Sequence, residues 1–249
     1  MKTKQQIQYL SQPEAVSMGD AWFELATIDH FWIKRRFSVM QKLAPFLTDK
    51  NLVVGEIGSG SGTVQRQFEL EYGRTVDGFD LNEYALMQSI SETSNTYCYN
   101  IHDRAEAFKE KYDVIVLFDV IEHIDDVPAF MESVLFHLKP GGRVMINVPA
   151  LMALMSKYDV AAGHVKRYVA SDFRTLGTQL SLHTVAWSYW GMPYIPLLFL
   201  RKLMLSGKTD KDAILKSGFG KKSGLVNSLL GLLGAVAGPR HYSGPFVWA

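Results

Sequence analysis

The stretch Val53-Val54-Gly55-Glu56-Ile57-Gly58-Ser59-Gly60-Ser61-Gly62 constrains the fold more than any other in the chain. An apolar run ends in a glycine loop, and Val64, Phe68 and Tyr72 follow at helical spacing. Strand, tight turn and helix in that order form the local architecture of a nucleotide site. Glycines tolerate positive φ and let a ligand approach the backbone, while amides at the start of the next helix face its polar groups. The spacing narrows the ligand. A dinucleotide fingerprint needs glycine at position 63, where Thr63 stands, and a phosphate loop needs a lysine that is absent. A second apolar run, Val76 to Phe79, closes on Asp80, at about the twenty-residue offset expected of a ribose-binding acid.

From Leu52 the pattern alternates. Strands are expected at 52–57, 75–80, 96–100, 113–119 and 143–148, and helices at 62–72, 83–92, 126–138 and after 150. Repeated β-α units imply a parallel sheet with helices on both faces and a ligand crevice at the carboxyl ends of the strands. Gly58, Asp80, Asp103 and Asp119 all fall at or just past such ends. Before the sheet, Phe31, Ile33, Phe37, Met40, Leu43 and Phe46 mark a helix from about Thr27 to Leu47, ended by the turn at Thr48-Asp49-Lys50-Asn51.

Three further segments carry a family resemblance. Tyr112 to Asp126 contains Phe118-Asp119-Val120-Ile121-Glu122-His123-Ile124-Asp125-Asp126. Leu138-Lys139-Pro140-Gly141-Gly142 leads to the fifth strand, Pro140 stopping the helix and the glycines permitting the reversal. Asn100-Ile101-His102-Asp103 precedes both. Together with the glycine loop and Asp80, these resemble the motifs of class I S-adenosylmethionine (SAM) dependent methyltransferases of the bacterial small-molecule, ubiquinone-biosynthesis type. The departure is His102, where the family usually has glycine. His30-Phe31-Trp32-Ile33-Lys34-Arg35-Arg36-Phe37 and Gly163-His164-Val165-Lys166-Arg167-Tyr168 are similar to segments of the same group.

The resemblance implies a Rossmann-like α/β fold: a seven-stranded, mostly parallel sheet with helices on both faces. A helical cover (1–50), a SAM-binding core (51–150) and an acceptor-side cap with edge strands (151–249) would form one domain. It implies a cofactor set of Glu56, Gly58, Ser59, Gly60, Gly62, Asp80, Leu81, Asp103, Phe118 and Asp119, with Asp80 on the ribose diol and Asp103 on the adenine amino group. S-adenosylhomocysteine (SAH) is the product. Asn82 and Asp103 also read as helix N-caps, and Ser171 as the cap of the helix after Tyr168. Ser181 to Trp190 reads as the sixth strand, and Phe246 to Ala249 as the start of an antiparallel seventh.

Methyl transfer from a sulfonium needs alignment and exclusion of water, and a base only for a protonated acceptor. His123 is the candidate base, and a helix-bracing role for Glu122 and His123 is the alternative. His164, Arg167 and Tyr168 are candidate acceptor-pocket residues, Arg167 suiting a carboxylate or phosphate. Their alternative is a lid anchored by surface salt bridges. Asp119, Glu122 and His123 resemble positions that hold a divalent ion in some ubiquinone-biosynthesis O-methyltransferases. The Glu122-His123 pair recurs in many relatives without metal, so no metal is expected. The fourth motif lacks the Asn/Asp-Pro-Pro-Tyr/Phe signature of certain nitrogen acceptors. This disfavours adenine- and glutamine-type N-methylation but not every other kind; O-methylation of a small hydrophobic or carboxylated metabolite is expected ahead of N- or C-methylation. A SAM- or SAH-binding partner protein without transferase activity is the rival.

Composition adds bounds. With 47% hydrophobic and 20% charged residues and a net charge of +1, the chain reads as globular, with no nucleic-acid partner expected. A single cysteine, Cys98, excludes an internal disulfide. No apolar run follows the first residues and no stretch is long enough to span a bilayer, so a cytoplasmic protein is expected. From Val185 onward eight basic residues meet two acids, which makes that third +6 and the rest −5. Trp187 to Leu200 and Leu225 to Ala237 are strongly apolar. They are read as an internal cap over the acceptor. The alternative is a peripheral membrane contact using Arg201, Lys202, Lys221 and Lys222.

Overall fold

The computed structural model describes residues 6–15, 27–216, 242–243 and 247–248. Leu225 to Ala237, Lys221 and Lys222 lie outside them. Two compact units emerge, interleaved in sequence: 1–16, 44–120 and 126–146 form the first, and 17–43, 121–125 and 147–249 the second.

The first unit holds the strands β1 (Gln8–Tyr9), β2 (Val54–Ile57), β3 (Asp77–Asp80), β4 (Thr96–Cys98), β5 (Tyr112–Phe118) and β6 (Leu138–Asn147), the last residue of β6 falling in the second unit. Their order is β1-β4-β3-β2-β5-β6, and β1/β4, β4/β3, β3/β2 and β2/β5 pair in parallel. Val114, Val116 and Leu117 in β5 are wholly buried, as expected of a strand covered on both faces. The β-α alternation is therefore as expected, and strand positions agree to within a few residues. Among the described residues six strands stand here and three short ones in the second unit, so the expected count of seven is not confirmed.

Local chemistry explains the helix bounds. α1 (Phe31–Leu43) stops before Ala44-Pro45, where the ring of Pro45 disfavours helix in the residue before it, and a 3-10 turn (Pro45–Thr48) follows. α2 (Thr63–Tyr72) starts at Gly62 (φ +71°) and ends at Gly73 (φ +59°), whose amide donates to the carbonyls of Glu69 and Phe68. α3 (Glu83–Met87) is capped by Asn82 as expected, its side chain accepting from the Ala85 amide. It ends short of the expected residue 92 because the chain turns away, the Ile90 amide reaching the Ser61 carbonyl. α4 (Val127–His137) passes directly into β6 at Leu138, with Gly141 at φ +75° inside the extended stretch. The expected reversal falls here, since a Cβ on Gly142 would stand 2.9 Å from the Lys139 carbonyl oxygen and 2.8 Å from Leu138 Cγ.

In the second unit α1 carries Phe31, whose ring lies 5.7 Å from that of Tyr194, and Trp32, 4.3 Å from Trp190. Trp190 donates from Nε1 to the Asn147 Oδ1 at 2.9 Å. α5 (Lys157–Ala161), α6 (Ala170–Gln179), α7 (Ile195–Leu205) and α8 (Lys211–Lys216) follow. Ala161, Leu205 and Ile214 bring α5, α7 and α8 together in one cluster. Val169 rather than Ser171 is the cap residue of α6, where its amide donates to the Asp172 carboxylate. β7 (Ala186–Ser188) pairs antiparallel with β8 (Tyr242–Ser243) and parallel with β9 (Val247–Trp248). The last strand was expected to be antiparallel and is parallel instead.

Candidate functional site

In the first unit the glycine loop leaves β2 and is braced on its neighbour, the amides of Gly58 and Ser59 both donating to the Phe79 carbonyl at 2.8 and 3.0 Å. Gly58, Gly60 and Gly62 all have positive φ. A Cβ on Gly58 would stand 2.4 Å from Val120 Cγ2, and one on Gly62 would stand 2.6 Å from Ser89 Oγ. The Gly60 amide donates to Asp80 Oδ2 at 2.7 Å, and the Asn82 amide to Asp80 Oδ1 at 2.8 Å. These bonds occupy part of the carboxylate's acceptor capacity and leave the rest open. Loss of water around Asp80 pushes its carboxyl above the ordinary range, against the amides of Asn82, Gly60 and Leu81.

A nucleoside with a ribose diol and an amino-acid tail fits these residues. The loop is a cradle with little room for side chains, and the paired oxygens of Asp80 suit a diol. The Ser59 hydroxyl is buried with no hydrogen-bond partner among the described residues. The amides of Gly58, Ser59, Gly60 and Gly62 are committed inside the protein. They offer a ligand nothing. Asp103 ends a 3-10 turn, Ile101–Asp103, whose cap is Asn100; the aspartate is therefore not the cap expected of it. It is exposed on β4's carboxyl side and accepts from Ser11 Oγ at 2.6 Å. His102 Nδ1 lies 3.0 Å from Ser133 Oγ, and its ring packs on Phe130. Phe118 is buried, and Asp119 after it has φ +59°, the left-handed region uncommon outside glycine. Glu56 is buried within β2.

A second group of expected residues lies in the second unit. One ligand atom each of Glu122, His123 and His164 lie within 4.8 Å of one another. His123 Nδ1 lies 3.2 Å from the Gly163 carbonyl, and His164 Nδ1 3.2 Å from Asp159 Oδ1. These contacts direct the Nε2 atoms elsewhere, as in imidazoles poised for a proton or a metal. The three residues are a donor set that can hold a divalent ion, with His164 in the place that the sequence pattern gave to Asp119. Val165 donates to the Glu122 carbonyl and Tyr168 Oη to the Ile121 carbonyl, both at 2.8 Å, which fixes the 163–168 segment on the 121–122 turn.

Residues 29–187 match the family described as "Methyltransferase domain". The chain belongs to that family. Among relatives of this chain, a ubiquinone biosynthesis O-methyltransferase of Rickettsia felis is 26% identical over 119 residues, 44% of this chain and 46% of that protein. Phosphoethanolamine N-methyltransferase 1 of Zea mays is 31% identical over 111 residues, 41% of this chain and 22% of that one. The matches with the ubiquinone enzymes cover about half of those relatives' length. Among solved structures, Haemonchus contortus phosphoethanolamine N-methyltransferase 2 in complex with SAM aligns with a TM-score of 0.56 and 17% identity. That alignment covers 90% of this chain and 55% of the other, a likeness of fold.

Two residues that no sequence motif marks hold the expected ones in place. Ser11 meets Asp103, and Asp159 gathers the second group. Arg167, expected at an acceptor pocket, is 6% exposed and donates from Nε and Nη2 to Asp159 Oδ1 and from Nη1 to the Ala150 carbonyl. Its contacts are those of an anchor, buried rather than on the surface. Asp159 also accepts from Ser156 and His164. Burial opposes its charge, but His164, Arg167 and Ser156 hold its carboxyl well below the usual range. A buried Asp-Arg pair has no sequence signature of its own beyond the two residue types.

Proposed function

We propose that this methyltransferase moves a methyl group from SAM to a small-molecule acceptor, with SAH as product, and that the acceptor atom is an oxygen of a hydrophobic or carboxylated metabolite. The observation that carries the cofactor reading is the joint between the glycine loop and Asp80, made by adjacent parallel strands and locked by the Gly60 amide on Oδ2. When bound, SAM supplies an electrophilic methyl on sulfur. The residues then have three tasks. Asp80 holds the ribose through its remaining acceptor positions, the Ser59 hydroxyl meets a polar group of the tail, and Asp103 accepts from the adenine amino group. Oxygen as the acceptor draws support from the ubiquinone O-methyltransferases among the relatives and from the missing nitrogen-acceptor signature. His123, its Nδ1 held by the Gly163 carbonyl, is the residue assigned to take the acceptor's proton. Because Arg167 is committed to Asp159, recognition of an acid group falls to other residues.

Calorimetric titration with SAM and SAH tests the reading. Wild type should bind both at micromolar concentration, and Asp80→Ala should lose at least tenfold, since one hydrogen bond to a charged group contributes about 1.5–3 kcal/mol. Release of SAH from SAM in the presence of phenolic or carboxylated acceptors then assays turnover. Binding without release across such a panel would favour the binding-partner alternative, and no binding would remove the cofactor assignment.

A further inference from the structure

The first described stretch of the chain carries no motif, yet it is bound to the residues assigned to the nucleoside. β1 pairs in parallel with β4, Gln8 opposite Tyr97 and Tyr9 opposite Cys98. Past the strand, the amides of Leu10 and Ser11 both donate to the Cys98 carbonyl, at 2.9 and 3.1 Å. The Ser11 side chain then makes two bonds. Its hydroxyl oxygen accepts from the Asn100 amide at 2.8 Å, and its proton goes to Asp103 Oδ2 at 2.6 Å. Three residues on, the Glu14 amide donates to the Leu81 carbonyl at 3.0 Å, and Tyr9 Oη meets Glu83 Oε1 at 2.7 Å. Between Ser11 and Glu14 lies Pro13, whose ring fixes φ. Residues 8–14 therefore run from the residue assigned to the adenine to the residue after the one assigned to the ribose.

We propose that residues 8–14 form a strap belonging to the nucleoside half of the cofactor site, with Ser11 as a positioning residue for Asp103. The inference rests on the SAM reading above. Its physical basis is the geometry of one carboxylate. Asp103 is exposed on a 3-10 turn, where a free carboxylate would rotate and remain hydrated. Ser11 ties down Oδ2 and is itself oriented by the Asn100 amide, which leaves Oδ1 turned to accept from a neighbour. An exocyclic amino group donates to such an oxygen, and the 6-oxo group of hypoxanthine cannot. The strap thus sets affinity and also preference for adenine.

The test is calorimetric titration of the full chain, wild type, Ser11→Ala and Ser11→Thr, with SAH and with S-inosylhomocysteine, which replaces the 6-amino group by oxygen. Wild type should prefer SAH. Ser11→Ala should weaken SAH about tenfold, as loss of a hydrogen bond to a charged group does, and weaken the inosyl analogue much less, so the preference narrows. Ser11→Thr keeps the hydroxyl and should restore it. Equal weakening of both ligands would mean that the strap acts only as structure, and unchanged affinity for both would mean that Ser11 does not position Asp103. Either result overturns the inference while leaving the cofactor reading intact. Failure of wild type to bind SAH at all would overturn that reading and the strap with it.

Discussion

Gly58 carries two constraints at once. Its φ of +78° lies in the region that side chains avoid, and an added Cβ would meet Val120 Cγ2 at 2.4 Å. Gly58→Ala should therefore destabilise the protein by roughly 2–4 kcal/mol in urea unfolding, the backbone and overpacking costs together. Adding Val120→Ala should relieve the contact and return only the steric part; full recovery would show that the backbone angle costs nothing. The role of Gly58 was legible because a glycine loop directly after an apolar run marks a tight turn at a strand end, where a ligand can lie against the backbone. Asp80 was legible for a similar reason, as a carboxylate closing a strand. Ser11 and Asp159 were not. A serine or aspartate on a surface-like stretch reads as a solvated residue until the fold brings Asp103 or Arg167 to it.

At the scale of elements, the return from α3 to β4 is held by one carboxylate on α2. Glu69 on α2 accepts from the amides of Glu92, Thr93 and Ser94 and from the hydroxyls of Ser91 and Ser94. Burial alone would raise its pKa, but these donors outweigh it and bring the carboxyl down to about 2. The folded value lies below the unfolded one. The stabilisation is therefore complete above about pH 4.5 and is lost as the pH falls toward about 2. Glu69→Gln should lower unfolding free energy at pH 7 by on the order of 2–3 kcal/mol, and the gap from wild type should close across that acid window. A gap that stays constant down to pH 2 would mean that the charge is not what binds the loop. The helix expected to reach residue 92 has already ended at Met87, and the amides of 92–94 turn to Glu69. Strands and helices with clear periodicity were legible. β1 was not, because two residues carry no period, and neither was the direction of β9, which its pairing decides. The membrane alternative also changes at this scale. Arg201 lies over the Tyr158 ring at 4.2 Å and Lys202 donates to the Ala153 carbonyl, so both cations are engaged with the protein. No helix among the described residues is long and apolar enough to cross a membrane.

For the molecule as a whole, the decisive fact is the interleaving. The first unit draws on three separate segments, and residues 121–125 lend five positions of one loop to the second. That division was not visible in the sequence, where 51–150 read as one uninterrupted core, since a pattern of apolar residues shows which positions are buried but not with which partners. Interleaving has an energetic consequence. Unfolding either unit alone would free the ends of segments that the other still fixes, so the chain gains less entropy than two independent domains would. A single cooperative transition is expected. None of the five tryptophans lies in the first unit, which makes the expectation measurable. SAH bound to the first unit at a hundredfold excess over its dissociation constant should add about 2.7 kcal/mol, or roughly 5–10 °C in Tm for a chain of this size. If the units unfold together, tryptophan fluorescence must report that full shift although the fluorophores belong to the unit that does not hold the nucleoside. A shift in far-ultraviolet circular dichroism with an unmoved fluorescence midpoint would show two independent transitions. In that case the glycine loop and Asp80 would work on a core that melts without the Glu122–His123–His164 group, and the two halves of the proposed chemistry would be stabilised separately.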